Sequence, residues 1–387
     1  MLAAALSKEE ELYWLALKLV PGLGTRKAGQ ILQHFRTPQT VFRASREELE
    51  ASGLAGSIAQ TIASGCTFED AVEQQEKMLR CGAALIPISD PRYPPRLKEI
   101  FDPPIALFAR GRVELLQSLL LGVVGTRHPT PYGVAATERL SADLAQAGLT
   151  IVSGMARGID TAAHRSAVAV GGDTMAVFGC GVDELYPAEN RNLSEELSNK
   201  GLLISEFPMG SPAYPQNFPI RNRIISGMSV GVLIVEGAQF SGSAITARMA
   251  LEQQREVFAV PGSIMSKMSW GPNLLIKQGA KLVQDWNDVL VELPADIRRE
   301  LAARAQQRRG AQMSLEGEDK VATEADELSP ISRSLMAAIK PDVPIHLDEL
   351  LETFDTSSSS EIIAALFDLE MLGLVRQLPG KNFVKVW

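Results

Sequence analysis

Residues 231–236 read Gly231-Val232-Leu233-Ile234-Val235-Glu236, and beyond Gly237 an amphipathic helical pattern occupies 243–254. An unbroken aliphatic run of strand length predicts a strand buried on both faces, because a strand with one wet face would alternate. A helix directly after it predicts a crossover, so the pair is one unit of a doubly wound, mainly parallel α/β sheet. The texture repeats outward from this point. Strands are expected over 84–88, 120–125, 150–153, 173–178, 202–206, 256–261 and 281–284, with helices over 133–147, 159–170 and 189–199 among them.

The flanks of this domain, which takes residues 73–295, read differently. Residues 1–72 form a small helical domain of helix-hairpin-helix or SAM-like type. Leu12, Leu15 and Leu19 share a helical face, Pro21-Gly22-Leu23-Gly24-Thr25 interrupts it, and Ile31, Leu32 and Phe35 mark a second helix. Glycines between two helices let backbone N–H groups approach a phosphate beside a helix N-terminus; they serve a plain tight turn equally well. Residues 296–328 are a charged linker, Arg298, Arg299, Arg304, Arg308 and Arg309 preceding the acidic stretch 316–327, and read as a solvated tether. Residues 329–387 pattern as helices over 331–339, 347–352 and 359–372 and strands over 374–378 and 383–386, which is winged-helix architecture. The would-be recognition helix, 357–372, carries Glu361, Asp368 and Glu370 but no Lys or Arg. Counterion release needs basic side chains on phosphates, so this unit is expected to dock a protein or its own chain.

Composition narrows the function. The 387 residues are 45% hydrophobic and 22% charged, those of an ordinary globular protein. The longest central apolar run, 115–124, is broken by Gln117 and Ser118 and is too short to span a bilayer. The start of the chain lacks a basic region followed by an apolar core, and Cys66, Cys81 and Cys180 form no CxxC pair. The expectation is a cytoplasmic protein with no signal peptide, no membrane partner and no metal. A net charge of −8 argues against a global electrostatic coat on nucleic acid, so any such site must be a local concentration of arginine.

Such a concentration is predicted at one sheet edge, since ligands of open parallel sheets bind outside the C-terminal strand ends. The strand over 120–125 runs into Gly125-Thr126-Arg127, and the strand over 150–153 into Ser153-Gly154-Met155-Ala156-Arg157-Gly158. The strand over 231–236 leads to Ser241-Gly242-Ser243, with Thr246 one turn into the helix, and Phe218-Pro219-Ile220-Arg221-Asn222-Arg223 opens the helix before that strand. Glycines for close backbone approach, hydroxyls at helix starts and guanidinium groups are the parts of a phosphate-binding surface. Singly, each part also serves as a cap or a loop residue. Together they predict an extended phosphate track along Arg127, Arg157, Arg221 and Arg223. Phe218 either stacks on a base or fills the core. No GxxxxGK[ST] loop, GxSxG elbow or HExxH motif is present. His164 stands four residues after Asp160 and with it makes either an acid–base pair or a structural hydrogen bond, the reading the i, i+4 helical spacing favours.

The ordered series Gly125-Thr126-Arg127, Ser153 to Asp160, Ala163-His164, Ser205-Glu206, Phe218 to Arg223, Ser241-Gly242-Ser243 with Thr246-Ala247, Pro261-Gly262 and Gly271-Pro272-Asn273 closely resembles the DNA processing protein A family, DprA or Smf. The resemblance is strong over about residues 75–290 and looser in the flanking domains. It implies a Rossmann-like domain that binds single-stranded DNA without catalysis or cofactor. It also implies a homodimer through that domain and a partner, the RecA recombinase, loaded onto incoming DNA during natural transformation. Carried over by position, Arg127 becomes the central DNA arginine, with Arg157, Arg221, Arg223 and the 241–243 turn in the same groove. Some members carry a lysine just before the arginine segment, where this chain has Tyr214-Pro215-Gln216-Asn217. A second reading is enzymatic. The domain is similar to that of LOG phosphoribohydrolases, which use a PGGxGT loop and a glutamate; here the turn over 237–243 lacks the double glycine, and Glu252 follows on the helix.

Overall fold

The computed structural model describes residues 6–239, 241–299, 301, 330–339, 345–354, 361–362, 365–366, 369, 375–378 and 382–385. The chain divides into two compact units, Met1–Arg308 and Arg309–Trp387.

The first unit opens with six helices, α1 (Lys8–Lys18), α2 (Thr25–Phe35), α3 (Pro38–Arg43), α4 (Arg46–Ala51), α5 (Gly56–Ser64) and α6 (Phe68–Cys81). Ser7 starts α1 with a reciprocal cap, its Oγ accepting from the Glu10 N–H at 3.2 Å while the Glu10 carboxylate accepts from the Ser7 N–H at 2.9 Å. Helix α2 begins at Gly24, which supplies no side-chain cap, and Gly22 sits at φ +77°, the left-handed region the turn requires. The boundary expected after residue 72 falls inside α6, which packs on α1 and feeds the sheet directly. Leu15, Leu17, Ile31, Val41 and Ile62 share one core with Leu85, Ile105 and Phe108, so these helices are continuous with the sheet.

The sheet has nine strands: β1 (Ala83–Pro87), β2 (Ala106–Gly111), β3 (Leu120–Val124), β4 (Thr150–Ser153), β5 (Thr174–Phe178), β6 (Leu202–Ser205), β7 (Gly231–Ile234), β8 (Glu256–Ala259) and β9 (Lys281–Leu282). Their order is β1-β2-β6-β5-β4-β3-β7-β8-β9. Strands β3 to β9 pair in parallel, and β1 and β2 add an antiparallel edge. Helices α8 (Pro131–Gln146), α9 (Ile159–Ala169), α10 (Arg191–Lys200) and α14 (Trp286–Glu292) cover one face; α7 (Pro95–Lys98), α11 (Asn217–Met228) and α12 (Gly242–Glu252) cover the other, with α13 (Trp270–Lys277) between α12 and β9 in sequence. Every residue of β3 through β7 is buried, as the unbroken aliphatic runs require. The chain winds from β3 out to β6, then returns to the opposite side of β3 as β7. The loops after β3 and β7 therefore flank the point where the winding reverses, the usual crevice for a ligand.

Three features depart from the sequence pattern. Strand β2 is absent from the expected set; its apolar run Ile105 to Ala109 is bounded by Pro104 and Gly111 and pairs antiparallel with β6, outside the strand–helix alternation that marks the others. Strands β1, β3, β6, β7, β8 and β9 stop one or two residues short of the expected ends, releasing Gly125, Glu206 and Glu236 into loops. The residues read as the start of a tether are helical over 295–299, and Ile297 and Leu301 are buried in the core under α8.

The second unit holds helices Pro330–Ala338 and Leu347–Thr353 and a three-stranded sheet, β10 (Ile345–His346), β11 (Val375–Leu378) and β12 (Asn382–Lys385), in the order β10-β12-β11. Leu335, Leu350, Ile362, Leu366, Leu369 and Phe383 form its core. Most of the expected recognition helix, the turn over 379–381 and most of the linker lie outside the described residues. Among the described residues no helix is long and apolar enough to cross a membrane, and no cluster of His, Cys, Asp and Glu could hold a metal ion.

Candidate nucleic-acid interface

The loops after β3, β4 and β7 are locked to one another. The Thr126 N–H donates to the Glu236 carbonyl at 2.8 Å, and the Ile159 N–H donates to the Thr126 carbonyl at 3.2 Å. The Glu236 carboxylate, 1% exposed, accepts from the Thr130 N–H at 2.8 Å and the Thr130 hydroxyl at 2.6 Å, and Thr130 caps α8 through the Gly133 N–H. Gly133 is required here, because a Cβ would fall on that carboxylate. Gly158, at φ +78°, packs directly on the backbone of Thr126 and Arg127, and Gly125 lies against Ile159.

This frame presents Arg127 to solvent. Its guanidinium carbon lies 5.2 Å from the centre of the Phe218 ring, and among the described residues no carboxylate pairs with it. Phe218 is half-buried against Gly179 and stands 5.3 Å from the ring of Tyr186, itself 42% exposed. Arg157 is also exposed, paired across the loop with Glu189. An ion pair between two exposed side chains contributes little, so Arg157 is readily exchanged onto a competing anion. At the far side, Ser241 and Ser243 share a hydroxyl hydrogen bond of 2.7 Å. Helix α12 starts there without a side-chain cap, Gly242 is exposed, and Thr246 donates back to the Gly242 carbonyl at 3.3 Å. An uncapped N-terminus beside a glycine offers amide donors to an anion.

Several residues expected to line this surface lie beneath it. Arg221 is 3% exposed, its Nη1 donating to the Val177 carbonyl at 2.8 Å, and it occupies the space a side chain on Gly154 would need. Burial pulls its guanidinium down to about 10, opposed by Asp160 nearby, so it stays charged at neutral pH. Arg223 is 7% exposed and bridges Glu206 at 2.7 Å and Asp102 at 3.0 Å. Neither guanidinium faces solvent. The reason is packing: beyond its first turn α11 is buried nearly all round, so Arg221 and Arg223, about 200° apart on the helix, are both covered, one toward β5 and the other toward Glu206 and Asp102. Asn222, between them, is half-buried. Ser153 is fully buried, donating to the Val123 carbonyl at 2.6 Å. Asp160 accepts from the N–H groups of Gly154 at 3.1 Å and Ala156 at 3.3 Å, which shapes the loop that carries Arg157.

The expected Asp160–His164 bond is absent. His164 is fully buried and its Nδ1 lies 2.7 Å from the Thr174 hydroxyl. That hydroxyl donates its one proton to the Ile151 carbonyl at 2.8 Å, so Nδ1 carries the proton and donates. Burial, with Arg221 nearby, pulls the imidazole down to about 3. Folding therefore excludes a proton that the unfolded chain binds below pH ~6.5. Stability is full above that pH and falls as pH drops toward 3, by about 2 kcal/mol at pH ~5. Burial pushes the Asp160 carboxyl up and works the opposite way, so the variant comparison is the readout. His164→Gln is expected to lose less stability than the parent chain between neutral pH and pH ~5, measured by urea unfolding; equal losses would place the proton elsewhere.

Sequence reasoning missed Glu236 and Tyr186. Glu236 meets Thr130 across 106 positions, which no local pattern signals. Tyr186 had a faint cue, an aromatic beside Pro187 in the loop after β5.

A family model described as DNA recombination-mediator protein A matches residues 84–294, and one described as the DprA winged helix domain matches residues 320–381. The chain is 33% identical to Protein Smf of Synechocystis over 98% of its own length and 99% of that protein. It is 41% identical to DNA processing protein DprA of Bacillus subtilis, covering 65% of this chain and 82% of that one. The X-ray structure of DNA processing protein A from Streptococcus pneumoniae superposes with a TM-score of 0.62 at 33% identity, covering 75% of this chain and 99% of that one. A Helicobacter pylori DNA processing protein A, described for its unique single-stranded DNA binding mode, gives a TM-score of 0.50 at 30% identity over 55% of this chain and 97% of that one. With this sheet, this winding and a matched winged-helix segment, the chain belongs to the DNA recombination-mediator protein A family, DprA/Smf.

Proposed function

We propose that the C-terminal edge of the sheet grips the backbone of single-stranded DNA and does no chemistry on it, and that the protein acts as a recombination mediator. The carrying observation is Arg127, an exposed guanidinium with no carboxylate partner among the described residues, held against an aromatic ring at the reversal of the winding. A cation for phosphate beside a ring for a base is how sequence-tolerant single-strand sites are built. Arg157 and the uncapped start of α12 extend the same surface. In this reading Arg221, Arg223, Ser153 and Asp160 are positioning residues that hold the loops from beneath. The enzymatic reading gains no support. Glu252 is exposed, pairs with Arg248 at 3.2 Å, and lies ten residues along α12 from Gly242, about 15 Å of helix.

The same proposal extends to a cytoplasmic homodimer that shields single-stranded DNA and loads the RecA recombinase during DNA uptake. Domain limits near residues 72, 295 and 328 go with it, α6 and the helical turn over 295–299 being shared at the joins. The family's description as a recombination mediator supports RecA loading. The test is a fluorescence anisotropy titration at several salt concentrations, with a labelled single strand against a duplex of equal length. Tighter binding of the single strand, with a steep salt slope, is expected. The same preparation incubated with nucleoside monophosphates is expected to release no base. Equal duplex binding, or base release lost in Glu252→Gln, would overturn the proposal.

A further inference from the structure

At the opposite end of the same sheet edge stands a second arginine–phenylalanine pair. Phe101 is 75% exposed, and the Arg26 guanidinium carbon lies 4.5 Å from its ring centre. Arg26 is the second residue of α2, whose N-cap Gly24 supplies no side chain, so amide donors and a guanidinium sit together beside an open aromatic face. A phenylalanine three-quarters in water has no packing role of its own, and its cation cover matches that of Phe218 under Arg127.

Topology places the two pairs on one edge. Strand β2 runs antiparallel to β6 with Phe108 opposite Ser205, so the segment before Ala106 emerges beyond the C-terminal end of β6, level with the loops after β3, β4 and β5. From β3 across β4, β5 and β6 to β2 is four strand spacings, roughly 19 Å. The two pairs also share an anchor. Asp102, next to Phe101, accepts from Arg223 of α11 at 3.0 Å, and α11 carries Phe218 in its first turn. The neighbouring acids are engaged, Asp102 and Glu206 by Arg223 and Glu99 by Arg255 at 3.3 Å, which leaves Arg26 uncompensated among the described residues.

We propose that Arg26 and Phe101 form a second contact for the same single-stranded DNA, so that a long strand runs from the crevice at β3 onto the N-terminal helical module. This rests on the reading above and adds a length dependence to it. A short strand fills only the Arg127–Phe218 end; a longer one gains a stacked base and a neutralised phosphate at Phe101 and Arg26.

The test is anisotropy with labelled oligothymidylates of about 5 and about 20 nucleotides, bracketing the site sizes of single-strand grooves. Phe101→Ala and Arg26→Ala are each expected to weaken the longer oligonucleotide about fivefold and leave the shorter one unchanged, while Phe101→Trp retains the binding. Arg127→Ala is expected to weaken both lengths. Unchanged long-strand binding in Phe101→Ala and Arg26→Ala, with Arg127→Ala still impaired, would sink the second contact and leave the groove standing. Equal losses on both lengths would make the pair part of the primary site or a support for the fold, against the proposal. No loss in Arg127→Ala would remove the groove itself, and the extension with it.

Discussion

Arg127→Ala is expected to weaken single-strand binding by about ten- to a hundredfold, the worth of one or two charge-assisted hydrogen bonds to phosphate at about 1.5–3 kcal/mol. The side chain is exposed and unpaired among the described residues, so its removal strands no buried partner and the unfolding midpoint should stay put. The logarithmic salt slope should shrink by about 0.7 for each phosphate that is no longer neutralised. Arg127→Lys should recover only part of the affinity, because a point-charged ammonium lacks the planar fork that grips a phosphate with two donors. Anisotropy at three salt concentrations checks all of this. A full-strength complex in Arg127→Ala would mean that the loops hold a small nucleotide or serve the fold alone.

Gly154→Ala is expected to be the most damaging single methyl group in the sheet domain. Gly154 has no left-handed backbone to protect, so the objection is steric: a Cβ would overlap the Arg221 guanidinium. That guanidinium cannot swing aside freely, being 3% exposed and bonded to the Val177 carbonyl at 2.8 Å. Displacing the loop instead breaks the Gly154 N–H to Asp160 bond and moves Arg157. Either route combines overpacking with a disturbed buried charge, and a loss of about 3 kcal/mol or more follows. Urea denaturation measures it. In an Arg221→Met background, which removes the guanidinium, adding Gly154→Ala should cost much less, and that coupling identifies the clash. Wild-type stability in Gly154→Ala would show that Arg221 does not support the loop.

The parallel sheet was legible because burial on both faces leaves a signature inside each strand: Val232, Leu233, Ile234 and Val235 admit no polar break. Strand β2 escaped because it pairs antiparallel on both sides and so need not alternate with helices. The loops of the site were legible from small residues at strand ends, and their joint placement follows from the parallel topology. Which arginines reach solvent was not legible. Phe218, Arg221 and Arg223 sit within six residues, yet the ring borders the open side while both guanidiniums are swallowed, and only the packing of α11 decides this. Pairings such as Glu236 with Thr130, or Asp102 with Arg223, depend on the tertiary fold and have no local correlate.

The bond between Glu236 and Thr130 also dates the groove within the life of the chain. The loop bearing Arg127 is held by a residue just beyond β7, so a polypeptide still emerging from the ribosome can assemble β3 to β6 and their helices without a formed grip. The final shape of the Arg127 loop waits for β7 to slot in beside β3. A fragment cut before Glu236 would therefore lack the carboxylate that holds the Arg127 loop, whereas synthesis of the chain beyond β7 adds nothing to that bond.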